Sequence, residues 1–179
     1  MTSTQAELII TKYGAVLEKA CSGDGDAFRL SQLPAPPQKI MQAMKLSLAN
    51  DIRNGALTEH RRNAIGGGAN FLTRFIPDDE AQRLNTIKRN AKRSRGTRLS
   101  PDEFDKRMQI MDEIGNWTIN AMATGLTLRC EITTFIESVQ QIDVGDPLFW
   151  QRVYTFAGLE YSDPAKPVAK KRSFWDWCS

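Results

Sequence analysis

Apolar residues recur along most of this chain at intervals of three and four, the period of an amphipathic helix, and no segment alternates as a half-buried strand would. The spacing predicts a first helix over residues 5–21. It carries Leu8, Ile9, Tyr13, Val16, Leu17 and Ala20 behind a Thr4/Glu7 capping box, and the SGDGD turn stops it. Beyond the proline-punctuated stretch SQLPAPPQ, Ile40, Met41, Met44, Leu48 and Ile52 mark a second helix, with Gly55 where a C-terminal glycine cap belongs. Residues 58–65 add a short polar helix, and Gly66-Gly67-Gly68 reads as a hinge after it. Asp78, Asp79 and Glu80 suit the start of another helix, with Ala81, Leu84, Ile87 and Ala91 on one face and an end near Gly96.

The strongest pattern follows Ser100, where Pro101 and Glu103 complete a helix-start signature. A 4-3 spacing begins at Phe104 and runs through Met108, Met111, Met122, Ile132, Ile136 and Val139. A second face, with Ile110, Ile114, Trp117, Ala121, Leu128 and Phe135, is apolar as well. Because a helix apolar on two faces is usually buried, residues 116–140 are expected to form the central helix, with a break or kink at Gly115. Within it Trp117, Met122, Leu128, Ile132 and Phe135 should be largely buried. Asp146-Pro147 opens a last helix bearing Leu148, Phe149, Val153, Tyr154 and Ala157, and Gly158 closes it. The expected fold is all-α, six or seven helices packed around the central one. Residues 1–161 form a single helical domain, and residues 162–179 a Pro/Lys linker with a flexible aromatic tail.

Length and composition agree with that class. The chain has 179 residues, 41% of them hydrophobic and 25% charged, enough for one domain with its own core and unlike collagen, disordered or disulfide-scaffold sequences. Cys21, Cys130 and Cys178 have no metal-ligand spacing, so no metal site or disulfide framework is indicated. The amino terminus lacks a signal-peptide pattern. The longest uncharged stretch, residues 114–128, is too short and too polar to span a bilayer. A soluble cytoplasmic protein without a transmembrane segment is expected.

Most local motifs are weak. The triple glycine lacks the Lys-Ser/Thr that completes a phosphate loop, and no cofactor is indicated. Glu59-His60-Arg61-Arg62 has residue types suited to acid–base or phosphoryl chemistry, but consecutive helix positions diverge. Asp24 and Asp26 lack the terminal glutamate of a calcium loop and read as a turn.

Two features carry more. Between Arg83 and Arg98, seven of sixteen residues are basic and none is acidic: Arg83, Lys88, Arg89, Lys92, Arg93, Arg95 and Arg98. On a helix Lys88, Lys92 and Arg95 align, with Arg89 and Arg93 in the neighbouring row, a footprint for phosphate backbones. Arg61 and Arg62 are candidates to extend it. In the tail, Phe174, Trp175 and Trp177 beside Lys170, Lys171 and Arg172 have the character of a binding anchor for a protein partner or a second subunit. The sequence therefore points to a non-enzymatic regulatory or accessory protein that binds DNA or RNA through the basic helix. The alternative is a protein–protein adaptor or inhibitor, with the basic helix on an acidic surface and the tail in a pocket. A small nuclease or nucleotide-dependent enzyme using Glu59, His60, Arg61 and Arg62 is the remaining reading, and no motif carries a family resemblance.

Overall fold

A threonine two positions earlier than expected opens the first helix, α1 (Ser3–Cys21), in this computed structural model. The structure describes residues 1–23, 30–74, 82–83, 86–87, 89–90 and 100–162. The Thr2 hydroxyl accepts a hydrogen bond from the Gln5 amide at 3.2 Å, and the Gln5 side chain accepts one from the Thr2 amide at 2.9 Å. The expected Thr4/Glu7 box yields to the same chemistry upstream, where it satisfies the free amides of a longer helix. Ala6, Tyr13 and Ala20, seven residues apart, form the buried edge of α1.

After a short 3-10 turn (Leu30–Gln32) comes α2 (Pro37–Arg53), with Pro37 in its first turn, where a missing amide proton costs nothing. Gly55 follows it at φ +64°, the left-handed conformation of a helix-ending glycine. Residues 43–49 of α2 are buried without interruption, and Ile40, Leu48 and Ala49 are fully enclosed. Small Ala43, Ser47 and Ala49 let other helices approach closely. This helix, rather than residues 116–140, is the centre of the fold, in contact with every other α-helix described below.

Helix α3 (Glu59–Leu72) is capped by the Thr58 hydroxyl, which accepts from the Arg61 amide at 3.1 Å. The triple glycine lies inside α3 and is no hinge. Gly68 marks a close approach to α1 and α2. A Cβ there would sit 3.0 Å from Met44 Cε and 3.5 Å from Tyr13 Cε1, and the Tyr13 hydroxyl donates to the Gly68 carbonyl at 2.7 Å. Burial pushes the Tyr13 phenol above its ordinary pKa, which keeps it a neutral donor.

The expected Ser100/Glu103 capping box is present at the start of α4 (Pro101–Gln140). The Glu103 carboxyl is held below its usual pKa, chiefly by the Ser100 amide and then by the Ser100 hydroxyl, both of which donate to it. This helix has 40 residues and is about 60 Å long, and it passes through Gly115 without a break. Only its last third enters the core, through Ile132, Phe135, Ile136 and Val139. Trp117 and Leu128 are half-buried and Met122 is 66% exposed, so the expectation that the five named residues are largely buried holds for Ile132 and Phe135 and fails for these three.

The last helix, α5 (Phe149–Phe156), buries Phe149 and Val153. The Asp146 carboxylate accepts from the Leu148 amide at 2.8 Å just before it, and Gly158 at φ +70° follows it. Its Tyr154 hydroxyl donates to the Met1 carbonyl at 2.7 Å, joining the two ends of the described chain. The class is all-α. Among the described residues there are five α-helices, not six or seven, with further helical positions at residues 82–83, 86–87 and 89–90, and no strand. No helix among them is long and apolar enough to cross a membrane.

Candidate nucleic-acid interface

Of the basic stretch 83–98, Arg83 and Arg89 are described. Both are helical and exposed. Lys88, Lys92, Arg93, Arg95 and Arg98 lie outside the described residues. The Arg83 guanidinium pairs with the Glu113 carboxylate of α4 at 3.1 Å, so the segment begins alongside the first half of that helix. Both partners are about half exposed, and such a pair contributes only about 0–1 kcal/mol. Glu113 lies thirty residues from Arg83, and no local spacing rule connects them.

The other basic candidates separate. Arg61 turns to α2, where its Nε donates to Asp51 at 3.1 Å and its Nη2 to the Ser47 hydroxyl at 2.7 Å. These bonds fasten α3 to α2 and take Arg61 out of any phosphate-facing row. Arg62 is exposed and lines an open groove of about 400 Å³ with Leu57, Thr58, Glu59, Asn63 and Gln140. His60 is exposed and is not among the residues lining that groove. The Glu59–Arg62 run is thus spread over three directions, as consecutive helix positions require. Among the described residues no group of His, Cys, Asp and Glu is arranged to hold a metal ion.

One buried cation was not singled out by the sequence. Lys45 of α2 is only 7% exposed, its ammonium donates to Glu131 of α4, and it sits 5.8 Å from the Phe135 ring centroid. With its charge paired and its stem packed, Lys45 ties two helices together and offers nothing to a ligand. A lysine amid Met44, Leu46 and Leu48 is its only signal in the sequence.

The tail residues Phe174, Trp175 and Trp177 lie outside the described residues. Compared with family models, curated proteins and solved structures, the chain matches none, so the reading of the site rests on its own residues.

Proposed function

We propose that this is a non-enzymatic nucleic-acid-binding protein, regulatory or accessory in role, whose basic segment 83–98 tracks a phosphate backbone. The observation that carries the reading is the run of seven cations without one acid across sixteen residues. Such a density concentrates positive potential on one segment while the chain as a whole carries only +3. The exposure of Arg89 supports it. With Arg83 engaged by Glu113, phosphate contacts are expected from Lys88, Arg89, Lys92, Arg93, Arg95 and Arg98.

Binding of this kind releases counterions, so each duplex phosphate neutralised contributes about −0.9 to the slope of log K against log salt. Four or five simultaneous contacts give a slope of roughly −4. Replacing Lys92, Arg93 and Arg95 together by Ala is expected to reduce that slope by about 2–3 and to weaken all sequences alike. A salt series of fluorescence anisotropy measurements on duplex and single-stranded oligonucleotides reads both quantities. Absence of binding by the intact chain at low salt overturns the proposal. It would favour an acidic protein surface as the target of the same segment, with the aromatic tail as a second anchor.

A further inference from the structure

One stripe of large apolar side chains along residues 104–126 of α4 stays exposed, whereas Ile132, Phe135, Ile136 and Val139 nearer its end enter the core. Phe104, Met108, Met111, Ile119, Met122 and Leu126 are 47–66% exposed. At 100° per residue they fall within an arc of about 80°, with Gly115 in its middle. The stripe is about 33 Å long and stays straight, because its mean spacing is close to the helical period. An apolar patch of this length is larger than an isolated soluble protein ordinarily leaves in water.

The stripe reads the same in both directions. Its spacing is 4-3-4 before Gly115 and 4-3-4 again from it in the mirrored sense, so a two-fold axis at Gly115 pairs Phe104 with Leu126, Met108 with Met122, and Met111 with Ile119. Each level then holds two large apolar side chains, as an isologous interface demands. Gly115 falls on the axis opposite itself. A Cβ there would meet nothing within 4 Å among the described residues, although glycine inside a helix costs about 1 kcal/mol relative to alanine. Packing among the described residues gives it no purpose, whereas two helix backbones crossing closely at that point would. Charge agrees too. Exposed Arg129 continues the stripe by one step and falls opposite Pro101 of the other copy, beside the acidic first turn of Asp102 and Glu103, and symmetry makes that contact twice. Burying roughly 100 Å² from each of the twelve side chains removes about 1,200 Å² from water, the lower edge of a specific interface.

We infer that the chain forms a symmetric dimer through the antiparallel pairing of two α4 helices about Gly115. The occupant of the exposed stripe is a second copy of this chain. Helix geometry leaves the groove of residues 57–63 outside this contact.

The test is the mass of the full chain in solution by sedimentation equilibrium. At about 100 μM the expected mass is twice 20.1 kDa. Met111→Glu and Met122→Glu together place four unpaired charges in the pair. They are expected to raise the dissociation constant roughly 100-fold or more, while helical circular dichroism stays unchanged because both side chains are exposed in the single chain. The milder Met111→Gln is expected to weaken the dimer less. Orientation is read by oxidation after Cys21, Cys130 and Cys178 are replaced by Ser. Gly115→Cys is expected to cross-link to itself, and Phe104→Cys only when mixed with Leu126→Cys. A monomer at that concentration overturns the inference. So does a dimer that survives both glutamates, a dimer lost on removing the tail alone, or self-cross-linking of Phe104→Cys, which would mean parallel helices.

Discussion

Gly68 is constrained in a way that Gly66 and Gly67 are not. All three lie within α3, where glycine costs about 0.5–1 kcal/mol relative to alanine, yet a Cβ at Gly66 or Gly67 would meet nothing and one at Gly68 would press on Met44. Gly67→Ala is therefore expected to stabilise the fold by about 0.5–1 kcal/mol in urea unfolding. Gly68→Ala is expected to lose that gain and to cost roughly 1 kcal/mol net, because Met44 is buried and cannot move aside freely. Equal effects at the two positions would remove the close approach from the account of α3. Sequence inspection sees three identical residues here. Only the neighbours of Gly68, brought from twenty-four and fifty-five positions away, set it apart.

At the scale of the element, α2 and α4 exchange the roles their patterns suggest. Helix α2 contains Lys45 and Ser47, which make it read as amphipathic, but Glu131 accepts from the lysine and Arg61 donates to the serine, so both polar groups are buried with partners. Helix α4 has two apolar faces and buries both toward its C-terminal end, where Ile132, Ile136 and Val139 of one and Phe135 of the other enter the core. In its first half Phe104, Met108, Met111 and Ile119 stay 47–64% exposed. Ile136→Ala is thus expected to cost about 2–5 kcal/mol, since the side chain is fully enclosed and its removal leaves a cavity. Met122→Ala is expected to stay within about 0.5 kcal/mol when measured at a concentration that keeps the chain monomeric. Denaturant midpoints of the two variants check both values. A large loss at Met122 in the monomer would mean that its face is covered.

For the whole molecule, the tail tests where the domain ends. The buried residues among those described reach from Ala6 to Ala157, and Tyr154 closes the domain against Met1. Pro164 and Pro167 separate the aromatics Phe174, Trp175 and Trp177 from that point. Deleting residues 173–179 is expected to leave the melting temperature within about 2 °C, a shift that corresponds to at most about 0.5–1 kcal/mol for a domain of this size. A drop of more than about 5 °C in scanning calorimetry would place those aromatics in the core. The same variant separates binding through the tail from the electrostatic binding of residues 83–98, whose salt slope it should leave unchanged.

Local chemistry by itself determined the helical class, the Ser100/Glu103 start of α4, the glycine at the end of α2 and the last helix before Gly158. Each depends on neighbours within a turn or two, and hydrogen bonding and backbone sterics act at that range. The basic run and both apolar faces of α4 were likewise legible, because period and charge are written along the chain. Which part of α4 is covered, which helix is central, and which glycine touches a methionine were decided by the tertiary structure. Burial depends on what arrives from elsewhere in the sequence. The partners that settle it here, Gly68 for Tyr13, Glu131 for Lys45 and Glu113 for Arg83, stand thirty to eighty-six residues away, beyond any local rule.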